Sequence, residues 1–189
     1  MGGIIIDKSG NWFGTTSSGG SNGRGTVFEI TAAGSYRILY SFPALKDGNG
    51  PVSSLTLDSQ GNLYGITDGG GLYAEGTVFK LTAGSNGSWQ ETILYSFPKQ
   101  AGSCQNPFSN IVFDANGNLY GTTLNGGTWG VGCVYEMSPA GEFTVLHEFG
   151  ESTDGGAPFG NLVFSQGSLY GTTSGGGENS QGTIFKVTP

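Results

Sequence analysis

The sequence predicts an all-β fold made of repeated four-stranded antiparallel units. Three observations carry this prediction. Four short phrases of β-branched and aromatic residues recur in a fixed order along the chain. Each phrase is bounded by Gly, Asn, Asp or Ser, the residues that join short strands through tight turns. No segment shows sustained helical spacing with caps at its ends.

The first phrase, strand a, reads Ile4-Ile5-Ile6-Asp7, Leu55-Thr56-Leu57-Asp58, Ile111-Val112-Phe113-Asp114 and Leu162-Val163-Phe164-Ser165. Strand b follows as Trp12-Phe13-Gly14-Thr15-Thr16, Leu63-Tyr64-Gly65-Ile66-Thr67, Leu119-Tyr120-Gly121-Thr122-Thr123 and Leu169-Tyr170-Gly171-Thr172-Thr173. Strand c opens after Gly25, Gly76, Gly132 and Gly182. In its second copy Thr77, Phe79 and Leu81 share one face and Val78 and Lys80 the other, as a half-buried strand requires. Strand d appears three times, at Ile38–Phe42, Ile93–Phe97 and Val145–Phe149. The strand b aromatics Phe13, Tyr64, Tyr120 and Tyr170 are separated by 51, 56 and 50 residues. Four strands in about 50 residues is the repeat of a β-propeller blade. A β-sandwich needs no near-identical units, and a β-solenoid repeats over shorter lengths with parallel rungs.

Composition agrees with a folded, turn-rich chain. Of 189 residues 37 are Gly, and 12% are aromatic, too many for a disordered tail. Only 11% are charged, against about 25% in ordinary domains. Seven bases against fourteen acids give a net charge of −7 and no footprint for a phosphate backbone, so a nucleic-acid partner is not expected. No apolar run approaches the roughly 20 residues of a membrane helix. Met1-Gly2-Gly3-Ile4 shows no basic n-region of a signal peptide.

The pattern Gly-Asn-Leu-Tyr-Gly-Thr-Thr, Gly-Gly, Gly-Thr-Val-Phe-Lys-Leu-Thr, Leu-Tyr-Ser-Phe, Asp-Gly and Pro resembles the GloVer tandem repeat of bacterial extracellular choice-of-anchor proteins. The resemblance spans nearly the whole chain in four copies. It implies a secreted or surface-anchored bacterial repeat protein, and brings no established activity and no catalytic residues to carry over.

The strand count is fifteen, about 3.75 repeats, in units 4–54, 55–110, 111–161 and 162–189 of a single propeller or part-propeller domain over 1–189. The fourth unit has no Leu-Tyr-Ser-Phe phrase. An open set of blades exposes apolar faces and a bare strand edge. The expectation is therefore a homo-oligomer, with two chains closing one ring or chains adding end to end. The alternative is a piece of a longer propeller.

Alternating strands place turns a–b and c–d on one rim and turns b–c and d–a on the other. The a–b turns Asp7–Asn11, Asp58–Asn62 and Asp114–Asn118 suit short hairpins. Read as calcium loops they offer too few oxygens. The b–c loops 17–24, 68–75, 124–131 and 174–181 keep one length and vary in content. Their Gly pairs precede neither a Lys-Ser/Thr nor a helix, so a phosphate cradle is a poor fit. The d–a loops 43–51, 98–107 and 150–158 share this rim and carry Asp47 and Asp154. Variable loops on a rigid scaffold are where binding usually resides.

The candidate ligand-binding residues are Asn22, Tyr73, Trp129 and Asn179, at equivalent loop positions, with Asp47 and Asp154. Aromatic faces stack on sugar faces and amides bond hydroxyls, so a glycan is the expected ligand. The competing reading has Tyr73 and Trp129 merely covering glycine-rich loops. Cys104 and Cys133 fall on the same rim near the junction of the second and third units, where a disulfide is plausible beside the alternative of two free thiols. His147 is the single histidine, so no multi-histidine metal site and no metal or other cofactor is expected. It stands where sister strands carry Tyr40 and Tyr95, which favours packing, and no Gly-x-Ser-x-Gly elbow accompanies it. Rim carboxylates Asp47, Asp68, Glu75, Asp154 and Glu178 leave glycoside hydrolysis or a lyase reaction open. The leading expectation is a non-enzymatic, extracellular structural or interaction module with glycan binding on the long-loop rim; the alternative is a carbohydrate-active hydrolase or lyase.

Overall fold

A computed structural model of the chain describes residues 2–150 and 153–189, so part of the third d–a loop lies outside the described residues. The chain divides into two compact units, Met1–Ser96 and Phe97–Pro189. Each unit holds two antiparallel sheets, and the four sheets are β-propeller blades.

In the first unit, sheet 1 runs β1 (Ile5–Ile6), β2 (Trp12–Thr16), β3 (Thr26–Ile30), β4 (Tyr36–Ser41). Sheet 2 runs β5 (Asn49–Pro51) and β6 (Thr56–Leu57), both on β7 (Leu63–Gly69), then β8 (Thr77–Ala83) and β9 (Trp89–Ser96). In the second unit, sheet 3 runs β10 (Gln105–Pro107) and β11 (Val112–Phe113), both on β12 (Leu119–Asn125), then β13 (Cys133–Met137) and β14 (Phe143–Glu148). Sheet 4 runs β15 (Val163–Ser165), β16 (Ser168–Thr172), β17 (Ile184–Val187).

The sequence count of fifteen strands is corrected here. In sheets 2 and 3 the ends of the d–a loops pair with strand b, Pro51 opposite Thr67 and Pro107 opposite Thr123. The first strand of each sheet is thus broken into two pieces. Proline, which cannot donate to a ladder, is tolerated because this strand is the sheet edge.

The Gly of strand b has a steric cause. Gly14 and Gly65 lie directly opposite Phe28 and Phe79. A Cβ at either glycine would stand 2.6 Å from the Phe Cζ. The strand c ring therefore lies across a glycine, and in sheet 2 that ring, Phe79, is fully buried in the core while Phe28 of sheet 1 is half-buried. The core cluster of the first unit contains Phe13, Val27, Phe42, Leu55, Leu63, Phe79 and Leu81. Phe42, which closes the strand d phrase, meets Phe79 edge-on at 5.3 Å. In the second unit Phe97 meets Tyr135 at 5.4 Å and Phe149 meets Phe185 at 5.0 Å in the same way. All three strand d phenylalanines are fully buried, each stabilising by about 2–3 kcal/mol.

The Asp turns are closed by their own carboxylates. Asp58 Oδ1 accepts the N–H groups of Gln60 and Asn62 at 2.9 Å, and Oδ2 accepts the Asn62 amide at 2.7 Å. Asp7 and Asp114 repeat the pattern. The turn lacking this Asp, at Ser165–Ser168, instead puts Gln166 and Gly167 at φ 50° and 74°, a type I′ hairpin turn.

Candidate functional site

The fixed length of the b–c loops follows from one bond. Gly25, Gly76, Gly132 and Gly182 donate N–H to the carbonyls of Gly19, Gly70, Gly126 and Gly176 at 2.9–3.1 Å. Each loop is a closed arch whose variable tip projects outward. In sheet 2 the arch is tied to the d–a loop before it. Leu45, which opens a 3-10 turn at Leu45–Asp47, accepts the N–H of Gly71 at 2.8 Å and that of Gly48 at 3.1 Å. This fixes Lys46 and Asp47 beside Leu72 and Tyr73.

These four residues, with Ile93, Leu94, Tyr95 and Ser96 of β9, line a hollow of 550 Å³. Tyr73 is 50% exposed, so its ring is offered to solvent rather than to the core. Lys46 Nζ donates to Asp47 Oδ1 at 2.7 Å, setting an ammonium and a carboxylate side by side on the wall. Burial pushes the Tyr95 phenol up, with Tyr73 adding to it, so the Tyr95 phenol stays a neutral hydrogen-bonding group near neutral pH.

The other sequence candidates go elsewhere. Trp129 is exposed at its outer face but seats its indole on the Gly150 backbone, where no side chain would fit. Asp154 lies next to it: its Oδ2 accepts the Gly150 N–H at 3.2 Å and faces His147 Nε2 at 3.0 Å. His147 also packs edge-on to Phe149 at 4.8 Å. Asn22 and Asn179 sit on exposed loop tips, Asn22 donating to Ser21 Oγ at 3.3 Å. Thus Tyr73 shares a hollow with Asp47, Trp129 and Asp154 meet at Gly150, and neither Asn joins either group. Of the other rim carboxylates, Asp68 stands against Gly50 and is pushed up by burial, Glu75 is half-buried with its backbone paired to that of Gly70, and Glu178 is exposed.

Cys104 and Cys133 are bonded, with Cα atoms 5.9 Å apart. Both are buried. They fasten the loop before β10 to the first residue of β13.

Sequence reasoning missed Glu91. It stands where strand d of sheets 1 and 3 carries Tyr36 and Phe143, and an acid at an aromatic position was the available signal. Its Oε2 accepts the Tyr40 hydroxyl at 2.6 Å, while Oε1 is buried without a partner. Burial pushes its carboxyl up to about 7. Among the described residues, no three of His, Cys, Asp and Glu gather into a metal-holding group.

The chain belongs to the Gloeobacter/Verrucomicrobia repeat family, whose model matches residues 1–189. A comparison with curated proteins finds no match. Among solved structures it is similar to a candidate gluconolactonase, at 14% identity and TM-score 0.58, covering 98% of this chain and 57% of that one. It is similar to a luciferin-regenerating enzyme at 16% identity and TM-score 0.59, covering 99% and 60%. It is also similar to the native arabinanase of Bacillus subtilis at 12% identity and TM-score 0.51, covering 97% and 68%. At these identities the likeness is one of fold. The chain spans less than two thirds of the first two structures.

Proposed function

We propose that this chain is a non-enzymatic, extracytoplasmic repeat module that binds carbohydrate in the hollow around Tyr73. The carrying observation is the half-exposed Tyr73 ring lining one 550 Å³ hollow with Asp47, Lys46 and Tyr95. A ring face takes the apolar face of a sugar, and a carboxylate, an ammonium and phenols bond its hydroxyls. The volume falls in the usual range for small-molecule sites, about 300–1,000 Å³. The resemblance in fold to an arabinanase is compatible with this ligand class. The buried bridge between Cys104 and Cys133 supports an oxidising compartment, since cytosolic reductants keep such pairs open.

Binding is favoured over hydrolysis because, among the described residues, Asp47 is the one carboxylate that lines the hollow. It is bonded to Lys46. Glu91, the acid held near neutrality, feels the charges of Asp47 and Lys46, but its Oε2 is bonded to Tyr40, its Oε1 is buried, and it does not line the hollow. A retaining or inverting pair needs two carboxyls on the same substrate.

Affinity electrophoresis against soluble arabinans, glucans, mannans and xylans tests this. The expected result is retardation by at least one polysaccharide, weakened about tenfold by Tyr73→Ala, a loss of ~1.4 kcal/mol. Retardation by none, or release of reducing ends by the wild type, would contradict it.

A further inference from the structure

The first unit holds a second hollow at the opposite end of its sheets, among the short turns. It measures 690 Å³. Its floor is Phe13 and Leu57, one side is the Asp7–Ser9 turn, another the Asp58–Gly61 turn, and its far wall is Ala83 and Trp89. That wall is particular to sheet 2. From Tyr64 to Tyr95 the chain takes 31 residues, whereas Phe13 to Tyr40 and Tyr120 to His147 each take 27. The four extra residues lengthen the β8–β9 hairpin, adding the pairs Thr82–Gln90 and Ala83–Trp89. At the position of Trp89 the sister hairpins are already in their turns, at Gly34 and Gly141. The longest spacing in the repeat is therefore what carries a tryptophan out over the turns.

The charges around this hollow are arranged unusually. Asp7 and Asp58 border it, Lys8 is the cation on its lining, Lys80 reaches Asp58 only through the intervening Tyr64, and the charge of the buried Glu29 is met by Arg37. Although burial opposes ionisation, bonds from the turn N–H groups and from Asn11 and Asn62 hold both aspartates below the usual carboxylate range. Those same bonds occupy their lone pairs. The aspartates thus present negative charge with little remaining capacity to accept hydrogen bonds. A primary ammonium needs such acceptors from its counter-charge; a quaternary ammonium does not, and is recognised by aromatic faces and by field.

We infer that the hollow between Phe13, Trp89 and the Asp7 and Asp58 turns is a binding site for a small apolar quaternary ammonium cation. The site is separate from the Tyr73 hollow and does not depend on it.

Isothermal titration with phenyltrimethylammonium, against its neutral isostere tert-butylbenzene and glucose as controls, provides the test. The cation is expected to bind and the two neutral probes are not. Trp89→Ala should weaken binding about tenfold or more, the loss of one desolvated cation–π contact. Lys8 is an exposed turn residue, so Lys8→Glu leaves the fold intact and should tighten binding severalfold; raising salt from 0.05 to ~0.5 M should loosen it. Tyr73→Ala should leave it unchanged. No binding of the cation, equal binding of the neutral analogue, or indifference to Lys8→Glu would each overturn the inference.

Discussion

Sheets 2 and 3 solve one fastening problem in two ways. In sheet 2 the d–a loop reaches strand c as Gly48, packed on a hydrogen-bonded hydroxyl pair, Thr67 and Thr77, at 2.8 Å. A Cβ on Gly48 would stand 2.8 Å from Thr67 Cγ2, and its φ of 109° is reserved for glycine. Sheet 4 repeats this arrangement with Gly155, Thr173 and Thr183. In sheet 3 the equivalent positions are Cys104, Thr123 and Cys133, and a covalent bond fills the space the glycine leaves empty. The residue before each fastener differs too: Asp47 in sheet 2, Ser103 in sheet 3. So does the loop aromatic, Tyr73 over an open hollow and Trp129 laid on Gly150. The difference is one of placement: sheet 3 turns its variable positions inward, into a disulfide and a seated indole, and sheet 2 leaves its loop aromatic facing solvent.

The largest expected effect lies in the covalent fastener. Cys104→Ser with Cys133→Ser frees a loop of 29 residues in the unfolded chain and should cost about 3–4 kcal/mol in urea unfolding. The double variant Cys104→Gly, Cys133→Thr installs the fastener of sheets 2 and 4 and should recover part of that loss. If it recovers nothing, the two fasteners are not equivalent.

Next comes Gly48→Ala, which combines left-handed backbone strain with a methyl against Thr67 and should destabilise by about 2 kcal/mol or more. The same alanine at Gly34, where nothing lies within 4 Å of a Cβ, meets only the backbone strain at φ 84° and should cost about 1 kcal/mol.

A smaller, pH-dependent effect belongs to Glu91. Its folded carboxyl titrates near 7 against an ordinary 4.5, so the folded state holds the proton more tightly than the unfolded one. Stability should therefore fall as pH rises from about 4.5 to 7 and level off above. Glu91→Gln keeps the bond from Tyr40, should flatten that slope, and should gain ~1 kcal/mol at pH 8 after allowance for partial exposure. An unchanged slope would show that another group sets it.

Much of this was legible in the residues. The Tyr-Gly-Thr phrase marked strand b because only glycine fits under the strand c ring, and the Asp turns announced themselves through an acid followed by Gly-Asn. The broken first strand was not legible, because Asn49-Gly50-Pro51 has the composition of a turn and pairs only when strand b supplies the opposing edge. Nor was the direction of the loop aromatics. Tyr73 and Trp129 hold equivalent positions, and what separates them is whether Gly150 or the Lys46–Asp47 turn lies beneath, a matter of neighbours distant in sequence. The Asn22 and Asn179 tips gave no local sign of which partners they would lack.

The comparison of Tyr73 with Trp129 carries the functional proposal, and one paired measurement tests it most directly. Tyr73→Ala and Trp129→Ala are each titrated calorimetrically with the polysaccharide that retards the wild type and unfolded in urea alongside it. The expected result is a dissociation: Tyr73→Ala loses binding about tenfold with stability within ~0.5 kcal/mol, and Trp129→Ala keeps binding but loses ~1 kcal/mol or more of stability. Undiminished binding in Tyr73→Ala, or its loss in Trp129→Ala alone, would contradict it.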